Sequence, residues 1–134
     1  MQMTDEEIDQ LKAGPEFDAL VAENVMGWIK EGPYLGSLFW ITTEGNMHPR
    51  TDAWCPSSDI AAAWEVVEQL RKLEPRGDAK FGIKGRSPEI VVVWQGTNFY
   101  CKIDGQGIFR EFHGEGDTAQ LAICRAALKA VNRG

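Results

Sequence analysis

"NFYCKIDGQGIFREFHGEGDTAQLAICRAALKAV", residues 98–131, decides the fold of this chain. Its first half alternates: Phe99, Cys101 and Ile103 share one side of an extended segment, and Asn98, Tyr100 and Lys102 share the other. Asp104-Gly105 is a turn signal, and "GIFREFH" resumes the strand pattern. The second half then changes period. Leu121, Cys124, Ala127, Leu128 and Val131 fall on one helical stripe, opened by Asp117 with Gln120 three residues on as a variant capping box. Two strands followed by an alanine-rich helix predict a helix lying close against an antiparallel sheet. Upstream, "EIVVVWQ" (89–95) and "AKFGIKG" (79–85) are strand-like too, and Gly96-Thr97 has the form of a hairpin turn. The expectation is an α+β fold: an antiparallel β-sheet of about four to five strands in a meander, packed with about three to four helices in an α/β/α-type sandwich.

The helices come from the remaining periodic stretches. Residues 4–13 form a short helix with Thr4 as N-cap and Asp5, Glu6 and Glu7 at the positive end of its dipole; Gly14-Pro15 ends it and starts the next. Phe17, Leu20, Val21, Val25 and Trp28 keep helical spacing, with Gly27 as the stop. Residues 58–73 form a third helix whose apolar face is read as Ile60, Ala63, Trp64, Val67 and Leu70. Between these, residues 30–56 lose periodicity. "SLFWITT" is a strand, and "KEGPYLG" and "TEGNMHPR" read as loops on either side of it. No repeat, low-complexity tract or linker divides residues 1–134, so a single domain is expected.

A chain of 134 residues with 43% hydrophobic and 25% charged residues has an ordinary globular composition. The net charge of -6 disfavours a long nucleic acid as partner. The N-terminus lacks a signal peptide, and no apolar run is long enough for a membrane span, which gives an expectation of a cytoplasmic protein with no membrane partner. Three cysteines and two histidines form no metal-ligand spacing, so neither metal nor cofactor is expected.

Candidate binding residues fall in three groups. "PSSD" (56–59) opens a helix, where free N–H groups and the hydroxyls of Ser57 and Ser58 suit an anion; Asp59 favours a plain cap, or a ligand hydroxyl or amino group instead. Lys80, Lys84 and Arg86, with Tyr100 and Lys102, define a basic and aromatic sheet face, and Arg110 lies in the following strand-like run. The alternative for that face is a solvated outer surface. Trp28, Trp40 and Trp54 sit at element ends or in loops, near His48 and Arg50, where aromatics stack on ligands or line the core; Trp64 and Trp94 read as core. His48 and His113, with Asp52, Glu111 and Glu115, are the candidates for acid–base chemistry, but no catalytic motif accompanies them.

"GPEFDALVAENVMGW" (14–28), "SSDIAAAWEVVEQL" (57–70) and "DTAQLAICRAALKAV" (117–131) together resemble the three helical motifs of the phage ABA-sandwich domain family. The resemblance implies a sandwich of helices and antiparallel sheet, life in the cytoplasm of an infected bacterium, and no inherited catalytic residues. Residues 29–56 depart from the pattern of relatives, and "VMGW" and "SSD" flank that variable segment. Three functions follow as expectations. The first is a non-enzymatic anti-defence binder that sequesters a host nucleotide signal, such as a cyclic ADP-ribose isomer or a cyclic oligonucleotide. The second is an inhibitor or accessory factor binding a host or phage protein through Tyr34, Phe39, Trp40 and Trp54. The third is a hydrolase of a nucleotide signal. A homodimer is an added expectation, since "LFWI" needs a place to be buried.

Overall fold

The computed structural model describes residues 3–45, 47–72, 89–104 and 111–132, with the backbone alone at 47–50. Among these, four α-helices and two antiparallel sheets pack in an α/β/α-like arrangement, as expected for the α+β class. The helices are α1 (Asp5–Gln10), α2 (Pro15–Val21), α3 (Ile60–Lys72) and α4 (Ala119–Val131). One sheet has the order β1-β2-β3, from β1 (Ile29–Tyr34), β2 (Ser37–Ile41) and β3 (Met47–Arg50). The other is the meander β4-β5-β6, from β4 (Glu89–Trp94), β5 (Phe99–Asp104) and β6 (Glu111–Gly116). The strand-like run at 79–85 lies outside the described residues.

α4 is the centre of the molecule. It packs on β6 and β5 with one side and on α3, α1, α2 and the end of the second helix with the other. Ala122, Ile123, Cys124, Ala126, Ala127, Leu128 and Ala130 are all buried, so its apolar surface extends well beyond the expected stripe. Its N-cap is Thr118, whose hydroxyl accepts from Leu121 N–H at 3.2 Å, and not Asp117. Gln120 instead donates to the Ser58 carbonyl and ties the start of α4 to the start of α3. The alanines let the helix approach β6 so closely that a Cβ on Gly114 would overlap the Ala122 carbonyl oxygen and the Ala126 amide nitrogen.

The N-terminal helix forms as its sequence dictates. Thr4 and Glu7 make a reciprocal capping box, with Glu7 N–H on the Thr4 hydroxyl and Thr4 N–H on the Glu7 carboxylate. Ion pairing of Lys129 with Asp9 at 2.8 Å, Arg125 on the Leu11 carbonyl at 2.8 Å, and Asn132 on the Met3 carbonyl hold α1 against α4. α2 runs on into a π-helical turn at Ala22–Met26, and Gly27 stops it with φ 74°. A left-handed residue there lets both Gly27 and Trp28 N–H reach the Ala22 carbonyl.

Two segments read as loops are strands. β1 is exposed along its whole length and contains Gly32 and Pro33, so it has neither alternation nor continuity of register: pairing with β2 shifts between Glu31 and Tyr34. Leu35 and Gly36, with φ 52° and 80°, form the two-residue turn to β2, a conformation that no residue pattern in "YLGS" announces beyond the glycine. β3 pairs with β2 despite Pro49.

The tryptophan assignments invert. Trp28, Trp40 and Trp54 are buried in the core, with the Trp28 and Trp54 rings 4.6 Å apart, whereas Trp64 and Trp94 are 55% and 57% exposed. On α3 the buried face is Ala62, Ala63, Val66, Val67 and Leu70, rotated from the expected one so that Ile60 and Trp64 face out. α3 packs on α4, and alanines on both helices allow a close approach.

Candidate functional site

The serines of "PSSD" are structural. Ser57 is buried; its N–H donates to Asp18 Oδ1 at 2.8 Å and its hydroxyl accepts from Gly14 N–H at 3.0 Å, joining the loop before α3 to the start of α2. Burial pushes the Asp18 carboxyl above its usual value, an effect the hydrogen bonds from the Ser57 backbone and side chain oppose. Asp59 caps α3, its carboxylate accepting from Ala61 N–H at 3.3 Å and its carbonyl from Ala63 N–H. Ser58 is exposed, with its carbonyl on Gln120. Ser57 and the tryptophans Trp28, Trp40 and Trp54 are buried, whereas Ser58 and Asp59 are exposed at the start of α3. Lys84, Arg86 and Arg110, and the side chains of His48 and Arg50, lie outside the described residues.

What remains of the expected site is on the meander. Alternation directs Cys101, Ile103, Phe112, Gly114 and Gly116 toward α4, and leaves Tyr100, Lys102, Glu111, His113 and Glu115 on the opposite face. Register sets Lys102 across from His113 and Tyr100 across from Glu115. His113 sits between two partners: Nδ1 lies 2.7 Å from the Tyr100 hydroxyl and Nε2 lies 2.9 Å from Glu111 Oε1. The neutral Nε2–H tautomer satisfies both, donating to the carboxylate and accepting from the phenol. Burial, followed by the charges of Glu111 and Glu115, pushes the Tyr100 phenol up and keeps it protonated. The two rings meet edge to face at 5.4 Å.

This face opens into a cleft of about 520 Å³, lined by Asp9, Asn98, Tyr100, His113, Glu115, Gly116, Asp117, Arg125 and Lys129. Residues from both sides of β6 line it, so it runs over the edge of that strand toward α4 and α1. Arg125 forms its floor, donating to the Glu115 carbonyl at 2.6 Å and the Leu11 carbonyl at 2.8 Å, and its Nε is buried with no hydrogen-bond partner among the described residues. Lys129 is neutralised by Asp9. The cleft therefore offers acceptors, an amide and two rings for hydroxyl, amino and aromatic groups. Lys102, across from His113 on the same sheet face, lies outside its lining and forms no ion pair among the described residues. Asp9, Asp117, Arg125 and Lys129 were not legible as site residues, although Arg125 and Lys129, four apart on a largely apolar helix, mark one face of it.

The cysteines are passive. Burial pushes the Cys101 thiol up to about 12 and the Cys124 thiol higher still, and Cys55 is raised by partial burial and by Asp18, Asp59 and Asp52. No cluster of metal-binding side chains occurs among the described residues, and no helix among them is long and apolar enough to cross a membrane.

Helices stacked on antiparallel sheets, with a polar cleft over one sheet edge, define a small α+β sandwich domain. The chain belongs to the phage ABA sandwich domain family, whose model matches residues 19–128, and is thus a small phage accessory domain. Its fold is similar to that of a phage protein from Bacillus cereus ATCC 14579 known from a 2.0 Å crystal structure, with 16% identity, a TM-score of 0.56, and coverage of 91% of this chain and 95% of that one. At that identity the likeness is one of fold alone. No curated protein matches the chain.

Proposed function

We propose that this phage accessory protein acts by binding without turnover and sequesters a small nucleotide-type signal of host defence in the cleft over β6. The observation that carries the reading is the cleft itself, about 520 Å³ in volume and within the range of small-molecule sites, with Tyr100 and His113 edge to face on its wall. A base stacks on one of these rings, ribose hydroxyls meet Asn98 and Glu115, and a phosphate that extends out of the cleft along the same sheet face is drawn to Lys102. Of the three groups of candidate residues, this reading rests on the sheet face with Tyr100 and Lys102 and not on the tryptophans, which are buried. Cyclic ADP-ribose isomers and cyclic oligonucleotides are the ligand classes, by analogy with how phages disarm nucleotide-signalling defences.

The test is a thermal-shift screen of the chain against these two classes, followed by heat release and chromatography of each bound compound. At about 100-fold excess over its dissociation constant a ligand adds ~2.7 kcal/mol, on the order of ten degrees for a chain this size. Tyr100→Ala with His113→Ala abolishes the shift, and the released ligand is intact. Release of a cleaved ligand would instead make the Tyr100–His113–Glu111 chain an acid–base system, since His113 already has an orienting carboxylate.

A second reading has its own observation. Ile29, Tyr34, Leu35 and Leu38 are exposed on the β1–β2 hairpin, a patch of the kind that anchors a protein partner. No shift across the nucleotide panel, together with a stoichiometric host protein captured by the native chain and lost on Leu35→Glu, would favour it.

A further inference from the structure

Resting on the nucleotide reading above, we infer that the cleft over β6 selects guanine, with the carboxylate of Asp117 holding the N1–H and N2–H groups of the base. Hydrogen-bonding capacity in the cleft is one-sided. Its donors are largely committed: the Tyr100 hydroxyl to His113 Nδ1, His113 Nε2–H to Glu111, the Asn98 amide to Glu115 at 3.4 Å, and the two terminal nitrogens of Arg125 to the Glu115 and Leu11 carbonyls. Lys129 is held by Asp9.

The acceptors are largely open. Glu115 uses only Oε2, and Asp117, exposed just beyond β6, makes no hydrogen bond and no ion pair among the described residues. Asp117 is not spent on α4 either, because Thr118 caps that helix through its own hydroxyl. With Asp9 and Lys129 offsetting each other, Glu115 and Asp117 stand against the single charge of Arg125. Inside the cleft, then, a ligand's donor edge is favoured over its phosphate.

Among the common bases, guanine alone offers such an edge. It sets N1–H and an N2–H side by side, a fork that matches the two oxygens of one carboxylate. Adenine and cytosine place an amino group beside a ring acceptor whose lone pair would face the second oxygen, and uracil flanks one N–H with two carbonyls. The positions agree with this. Tyr100 lies across from Glu115, and Asp117 follows Glu115 by two residues, about 7 Å at strand spacing. A base stacked on the Tyr100 ring thus has Glu115 near its sugar and Asp117 near its far edge. Of the two ligand classes, cyclic oligonucleotides containing guanine are favoured over cyclic ADP-ribose isomers, whose base is adenine.

Isothermal titration calorimetry of the full chain with cyclic di-GMP, cyclic di-IMP and cyclic di-AMP tests this, since the three differ only in the base. Cyclic di-GMP is expected to bind about tenfold or more tighter than cyclic di-AMP, with cyclic di-IMP, which keeps N1–H but lacks the N2 amino group, between them. Asp117→Asn exchanges one acceptor oxygen for a donor, the complement of adenine's edge. It should weaken cyclic di-GMP by about tenfold and strengthen cyclic di-AMP, whereas a merely structural role for Asp117 would weaken all three alike. Equal affinities in the native chain, or an unchanged order in Asp117→Asn, would overturn the guanine preference and leave the nucleotide reading standing. So would binding of a cyclic ADP-ribose isomer alone. No binding of any of these compounds would remove both.

Discussion

Replacing Gly114 by alanine adds one methyl group at the closest approach between β6 and α4. Its new Cβ would run into the Ala122 carbonyl oxygen, the Ala126 amide nitrogen and, at 3.0 Å, the Arg125 Cβ. Two of these are helix backbone atoms and cannot rotate aside, so relief requires α4 to move off the sheet and give up contacts with β5 and β6. Overpacking of this kind costs about 3 kcal/mol, the upper end of the usual range. Set against this, alanine gains only about 0.4–1 kcal/mol from a less disordered unfolded chain. An unfolding entropy of about 0.28 kcal/mol per kelvin, scaled to 134 residues, turns the net loss into a fall in Tm of about 7–9 °C. Gly116→Ala is the internal comparison, because its Cβ would meet only the Leu121 side chain at 3.0–3.1 Å, which can shift; about 1 kcal/mol is expected. Differential scanning calorimetry of the two variants measures both. A Gly114→Ala protein melting within about 2 °C of the native one would refute the close packing of α4 on β6.

Further expectations can be checked with the same material. Trp40→Ala should cost about 3–5 kcal/mol, and Trp64→Ala less than about 0.5 kcal/mol, by chemical denaturation; equal costs would contradict the inverted tryptophan assignment. Asp18 has its carboxyl pKa raised by burial, so its folded value lies above the unfolded 3.8, and the stability it contributes is present below 3.8 and lost as pH rises through the folded value. Asp18→Asn, which can still accept from Ser57 N–H, should therefore gain stability relative to the native chain between roughly pH 4 and pH 7; a stability difference that does not change over that span would count against a buried carboxyl. Alkylation with iodoacetamide should label Cys55 slowly in the native protein and reach Cys101 and Cys124 only after unfolding, as mass spectrometry would resolve.

The parts of the fold set by local periodicity were legible. β4 and β5, and α1 with its cap, follow their residues, because alternation and capping are local signals. The β1–β2 hairpin was not, because an exposed edge strand with Gly32 and Pro33 has no buried face to imprint a pattern. Tryptophans misled for a related reason: helical spacing says which residues share a face, but not which face the rest of the chain covers, and on α3 Ala62 and Ala63 are buried while Trp64 looks outward. Ser57 reads as a helix cap because its partners, Asp18 and Gly14, are some 40 residues away in sequence. Half of the cleft was visible as the Asn98–Tyr100 alternation and, in "EFHGEG", His113 and Glu115. Its other wall, from Asp9 and α4, exists only once the N-terminal helix docks.

The most direct test of the binding reading is a ¹⁵N–¹H correlation titration of the chain with the nucleotide that gives the largest thermal shift. Resonances of Asn98, Tyr100, Lys102, His113 and Glu115 are expected to move with ligand, while those of Trp28, Trp54 and Ser57 stay in place. Perturbations centred on Leu35 and Leu38, or on the loop before α3, with the β5–β6 face unmoved, would contradict it.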